Sequence, residues 1–227
     1  MINVRADIYT RKIEKTFMYN GSQMLKIDIE YPNVKLSHGG VVQSRINIDF
    51  NNIARSFYRY AVKTLLPNAI EHYKSAVINE FPFNPYDADM KYTLTQNDNC
   101  TLSVFFDKYE YTGGAHGQTV RISDNRSLQT GNIIKLSDIF KNSPGYIKLI
   151  LRRIIKQADK NIEDMPGIYF DDYKKLIVEN FNPQSFNITP DSLDFYYQQY
   201  DIAPYASGII VFSIPYEDLG IPKPHCK

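Results

Sequence analysis

Between Val4 and Tyr31 apolar and polar side chains alternate, as in Lys12-Ile13-Glu14-Lys15-Thr16-Phe17 and Leu25-Lys26-Ile27-Asp28-Ile29-Glu30-Tyr31. A period of two puts the apolar set on one face of an extended chain, so this stretch predicts half-buried strands and not a helix. Asn20-Gly21 falls between the two runs, and both residue types accept the positive φ of a two-residue hairpin turn. An antiparallel pair turning there, its second strand ended by Pro32 and Asn33, is the expected start of the fold.

The next segment, Val34 to Gln43, carries His38-Gly39-Gly40 and reads as a loop. Asn47 or Asp49 then caps a helix whose Phe50, Ile53, Phe57, Tyr60 and Ala61 fall three or four apart. Pro67 predicts a kink or restart before Ala69, Tyr73, Ala76 and Val77 resume the stripe. Strands are expected at Met90–Gln96 and Cys100–Tyr111 around Asn97-Asp98-Asn99, then a hairpin of Gln118–Ser123 with Ser127–Thr130 turning at Asp124-Asn125. Ser137-Asp138 caps a short helix, Pro144 opens a longer one bearing Ile147, Ile150, Leu151, Ile154 and Ile155, and another runs from Phe170 to Glu179. A hairpin through Thr189-Pro190-Asp191 follows. The apolar run from Gly208 to Ile214 reads as a strand buried on both faces, ahead of an extended tail. Strands and helices are grouped instead of strictly alternating. This predicts an α+β fold of two small subdomains, residues 1–108 and 109–227, each with antiparallel strands packed against one or more helices.

A chain of 227 residues can bury a sizeable core, and its formal net charge of +1 lacks the electrostatic footprint of a nucleic-acid binder. His38, His72, His116 and His225 show no metal-ligand spacing, so neither a metal nor a cofactor is expected. Cys100 and Cys226 read as two unrelated thiols, a disulfide between them being the alternative that an oxidising compartment would permit. No leader-like or membrane-spanning apolar stretch is present, so the chain is expected to be cytosolic or to be presented without its leader or anchor.

Aromatic content is unusual: 18 Tyr and 13 Phe with no Trp. Tyrosine joins a large apolar ring to a hydroxyl and suits wet recognition surfaces as well as half-buried strands. Two places concentrate this chemistry. Tyr109 to Gly117 reads Tyr-Glu-Tyr-Thr-Gly-Gly-Ala-His-Gly, a bend at a strand end that either presents His116 or is only a hairpin corner. The loop Tyr200 to Ser207 offers Tyr200, Asp201 and Tyr205 around a proline, either for recognition or to brace the loop by packing.

Six segments in order resemble a bacterial cell-envelope domain of unknown function. They are Tyr111-Thr112-Gly113-Gly114-Ala115-His116-Gly117, Leu128-Gln129-Thr130-Gly131, Leu136-Ser137-Asp138-Ile139-Phe140, Phe195-Tyr196-Tyr197, Tyr200-Asp201-Ile202-Ala203-Pro204-Tyr205-Ala206-Ser207-Gly208 and Ile214-Pro215-Tyr216-Glu217-Asp218-Leu219. That domain occurs in the ectodomain of the lysozyme-responsive anti-sigma factor RsiV and beside the catalytic domain of the peptidoglycan deacetylase PdaC. Residues before about Tyr109 resemble the domain that usually precedes it. The resemblance implies an extracytoplasmic, non-catalytic module whose partner is a lysozyme-like protein or peptidoglycan. Anti-sigma and deacetylase activities do not carry over, because nothing here corresponds to the sigma-binding segment or to the catalytic domain and its metal ligands.

The expected partner-binding residues are Glu110, Tyr111, Gly113, Gly114, His116, Tyr197, Tyr200, Asp201 and Tyr205, taken together as one open receptor surface. No catalytic residue is expected. Two alternatives stand beside this reading: a cell-wall hydrolase using His116 as general base, and a structural domain that self-assembles through an exposed edge of the N-terminal strands.

Overall fold

The computed structural model describes residues 4–141 and 144–226. β1 (Asp7–Tyr19) pairs antiparallel with β2 (Ser22–Lys35), and the turn residues Asn20 and Gly21 take φ of 49° and 81°. Leu25, Ile27 and Ile29 are buried while Lys26 is exposed, as the alternation demands. Pro32 does not end β2. It lies opposite Thr10 of β1 and beyond the parallel ladder of Leu25–Ile29, so a missing amide there interrupts no bond to the neighbour on that side.

The first helix begins earlier than expected, as α1 (Gly40–Tyr60). Asn47 is not its cap. From inside α1 its Oδ1 accepts from the Val34 amide at 2.7 Å and its Nδ2 donates to the Val34 carbonyl at 2.8 Å, while one turn earlier Gln43 Oε1 accepts from the Leu36 amide at 2.9 Å. These side chains satisfy the backbone at the end of β2, which frees the preceding loop to be short. A π-helical turn at Ala61–Leu65 runs without a break into α2 (Leu66–Ile78), and Pro67 follows it directly, where the wider turn accommodates a residue that cannot donate to the helix.

β3 (Tyr86–Asp98) runs parallel to β2, with Leu25–Ile29 facing Tyr86–Met90. The strands are mostly antiparallel, as expected, and this one parallel pair has a geometric reason: parallel neighbours need a long crossover, which α1 and α2 provide. β3, β4 (Thr101–Tyr111) and β5 (Gln118–Ser127) complete a five-stranded sheet in the order β1-β2-β3-β4-β5. The turn before β4 is made by Asn99 and Cys100, at φ 51° and 60°.

β5 also corrects an expectation, since Asp124-Asn125 is not a turn. Asp124 and Arg126 lie two apart on one face of a continuous strand and form a buried bidentate pair, Nε to Oδ1 at 2.6 Å and a terminal guanidinium nitrogen to Oδ2 at 2.8 Å. Asn125 points to the other face, accepting from Ser103 Oγ at 2.6 Å and donating to the Phe186 carbonyl at 2.9 Å.

After α3 (Leu136–Ile139), α4 (Tyr146–Asp164) and α5 (Tyr173–Glu179) comes a second sheet, β6 (Phe186–Ile188), β7 (Ser192–Tyr197) and β8 (Ile210–Pro215), in that order and antiparallel. The cap of α3 sits two or three residues earlier than predicted, at Lys135, where Asp138 Oδ2 accepts from the Lys135 amide at 3.0 Å. Ile150, Ile154 and Ala158 of α4 are buried with Phe186, Phe195, Tyr197 and Phe212 in one apolar cluster. β8 is buried on one face only: Ile210, Phe212 and Ile214 point in while Val211 is 41% exposed.

The cysteines are not unrelated thiols. Cys100 and Cys226 form a disulfide with Cα atoms 5.1 Å apart, tying the tail to the β3–β4 turn. The chain divides into two compact units, one of Asp7–Tyr92 with Phe106–Val120, the other of Thr93–Phe105 and the chain from Arg121 onward together with the residues before Asp7. β3, β4 and β5 contribute residues to both, and position 108 falls inside β4.

Candidate functional site

The glycine corner follows β4 in the first unit, and its three glycines have different surroundings. Gly113 takes φ +82° with its carbonyl accepting from Asn84 Nδ2 at 3.2 Å, and a Cβ on it would lie 3.2 Å from His72 Cε1. Gly114 has open space around it. At Gly117 an added Cβ would sit 2.4 Å from the Tyr109 ring and 2.5 Å from the Glu110 carbonyl oxygen, so the backbone itself packs on that ring. The Tyr111 hydroxyl donates to the Gly114 carbonyl at 3.0 Å, closing the bend. His116 is exposed, its Nδ1 lying 3.1 Å from the Gly117 carbonyl.

Glu110 accepts from the Tyr60 hydroxyl at 3.0 Å. Burial pushes the Tyr60 phenol up, and the bond to Glu110 adds to it. Lys108 stands over the Phe57 ring at 6.0 Å, and burial holds its ammonium below the ordinary lysine value against the pull of Glu110. Tyr60, Phe57 and Lys108 were not expected at this corner. The signal was present: 108 and 110 share a strand face, and 57 and 60 share a helix face. His72 is likewise unanticipated, with its ring 5.6 Å from Phe83 and 6.0 Å from Tyr86, and with Tyr73 and Tyr19 continuing the aromatic chain at 5.4 Å and 6.1 Å.

The second group belongs to the other unit. Tyr200 takes φ +68° and is 51% exposed, its ring 5.9 Å from that of half-buried Tyr205. Everything beneath it is anchored. Asp201 Oδ2 accepts from the Gln198 amide at 2.7 Å, Asn180 Nδ2 donates to the Asp201 carbonyl at 2.6 Å, and Ile202 and Ala203 are buried. Gln198 bonds the Arg121 backbone in both directions, at 2.9 Å and 2.7 Å. Burial raises the Asp201 carboxyl above its ordinary value, partly offset by the Gln198 amide.

Tyr197 is in the core, 2% exposed, with its hydroxyl donated to the Ile177 carbonyl at 2.8 Å. Burial, with the nearby Asp201 charge, drives its phenol strongly up. The structure thus gathers Glu110, Tyr111, Gly113, Gly114 and His116 in one unit and Tyr200, Asp201 and Tyr205 in the other, each group with its own supports. Two grooves of about 430 and 470 Å³ flank the C-terminal tail, the first lined by Phe140, Tyr146 and Arg152 and the second by Thr101, Ser127 and Ile133. Neither groove includes a residue expected to bind. Among the described residues no cluster of three or more His, Cys, Asp or Glu could hold a metal ion, and no helix is long and apolar enough to cross a membrane.

Residues 19–119 match the family model described as Deacetylase PdaC, and residues 137–217 match that of a protein of unknown function, DUF3298. The chain is 25% identical over 154 residues to the peptidoglycan-N-acetylmuramic acid deacetylase PdaC of Bacillus subtilis strain 168. This chain shares a domain of unknown function with PdaC. The similarity to PdaC takes in 61% of this chain but only 32% of that enzyme's length, and the two matched domains mark a cell-envelope-associated family. The fold is also that of two solved DUF3298 proteins. One, from Bacteroides fragilis NCTC 9343, has a TM-score of 0.72 at 19% identity, covering 96% of this chain and 94% of that one. The other, from Pseudomonas aeruginosa PAO1, has a TM-score of 0.62 at 19% identity, covering 96% and 95%.

Proposed function

We propose that this PdaC-like, DUF3298-containing chain is a non-catalytic binding module of the bacterial cell envelope that recognises a lysozyme-like muramidase or a peptidoglycan glycan. The observation that carries this reading is Tyr200. A bulky residue at φ +68° is costly, and here it holds an exposed ring beside Tyr205 while Gln198, Asp201 and Asn180 anchor the backbone below. Such preordered tyrosines lose little entropy when a sugar ring or a protein surface covers them. The Cys100–Cys226 disulfide fits an oxidising compartment outside the cytoplasm.

The test is capture of muramidases and of purified peptidoglycan by the folded chain and by Tyr200→Ala and Tyr205→Ala. The expected result is a loss of about 2 kcal/mol, roughly thirtyfold in affinity, with the melting temperature unchanged. A matching fall in melting temperature with no specific loss of binding would make the pair a packing device, and absence of capture by the wild type would dismiss the reading.

A further inference from the structure

β1 is the end strand of its sheet, and among the described residues no strand lies beyond it. Its outer backbone groups from Tyr9 to Phe17 therefore form an open row, and apart from the half-buried Ile13 and Phe17 the side chains there are exposed.

The charges on this edge are unbalanced in a specific way. Lys12 faces Glu30 of β2 and is bonded to it at 2.7 Å. Glu14 instead faces Asp28, a like-charged cross-strand pair, and Asp28 is itself bonded to Lys91 at 2.9 Å. The cation beside Glu14 is Lys12 at 4.0 Å, already engaged with Glu30, and the Glu14 side chain is 64% exposed. Glu14 thus shares Lys12 with Glu30 at the longer distance and stays largely exposed at the edge strand.

We propose that β1 is a self-association edge, pairing antiparallel with β1 of a second copy about a twofold axis at Ile13. In that register each Lys12 faces the other copy's Glu14, Thr10 faces Thr16, Tyr9 faces Phe17, and Ile13 faces its own counterpart. Two ion pairs and two aromatic pairs form by symmetry, and the half-buried Ile13 and Phe17 are covered. Two like-charged pairs are made by the same symmetry, each of Arg11 with Lys15. They lie on the opposite sheet face from Lys12 and Glu14, where the long side chains are exposed and can turn into water. Moving the axis to residue 11, 12, 14 or 15 would set a charged residue against its own copy, so the charge pattern selects the Ile13 register.

Sedimentation velocity on the whole chain from about 1 μM to about 1 mM tests this. A concentration-dependent monomer–dimer equilibrium is expected, with Lys12→Glu and Glu14→Lys each weakening it about tenfold or more. An equal mixture of the two variants should recover wild-type association, because the acidic edge of one then faces the basic edge of the other. Far-UV circular dichroism shows that each variant remains folded. A wild type that stays monomeric throughout, variants that associate like the wild type, or a mixture no tighter than either variant alone would each overturn the proposal.

Discussion

Gly117 and Gly114 stand three residues apart, yet only one is required to be glycine by its surroundings. A methyl group at Gly117 meets the Tyr109 ring and the Glu110 carbonyl at 2.4 and 2.5 Å, and part of that clash is with backbone that cannot swing aside. Gly117→Ala should therefore cost about 2–4 kcal/mol, while Gly114→Ala, with nothing nearby, should stay within about 0.5 kcal/mol in urea denaturation. Asp201 supplies a prediction in pH. Its carboxyl is raised by burial, so the folded chain holds that proton more tightly than the unfolded chain does. The associated stability is present below the unfolded pKa and is lost as pH rises through the folded one. Relative to Asp201→Asn, the wild type should gain stability as pH falls from neutral into the carboxylate range. Denaturation midpoints of the two proteins across that range check the sign. At this scale the candidate residues were legible by type, but Tyr197 and Tyr200 look alike in sequence, and only packing sends one to the core and the other to solvent.

Among elements, those whose periodicity was long and regular emerged close to where the sequence places them, as in β1, β2 and α4. Those read from single polar residues did not. Asn47 looked like a helix cap because asparagine favours caps, but its two bonds to Val34 close a strand instead. Asp124 and Asn125 have turn propensities that the Arg126 guanidinium and the Ser103 hydroxyl override. The disulfide acts on elements too, fastening the tail to the β3–β4 turn across a sequence separation of 126 residues. Closing so long a loop removes much unfolded-chain entropy, so Cys100→Ser with Cys226→Ser should cost about 2–5 kcal/mol. Reductant should lower the unfolding free energy of the wild type, read from urea denaturation, by a similar amount and leave the double variant unmoved.

For the molecule as a whole, β3, β4 and β5 supply residues to both compact units, and neither unit is one continuous length of chain. Fragments 1–108 and 109–227 would each divide β4 and lose strands that the remaining ones pair with. Expressed separately, they should show no cooperative thermal transition, whereas the intact chain should. The amino-acid order alone determined the α+β class, the N-terminal hairpin, the helix stripes and the family resemblance, because these depend on periods of two and 3.6 and on local motif spacing. Tertiary structure decided the parallel β2–β3 pair, the buried Asp124–Arg126 and Asn125 contacts, the disulfide, and the assignment of the glycine corner and the Tyr200 loop to different units. Each of these joins residues whose proximity is set by how the chain closes in space, which no local pattern encodes.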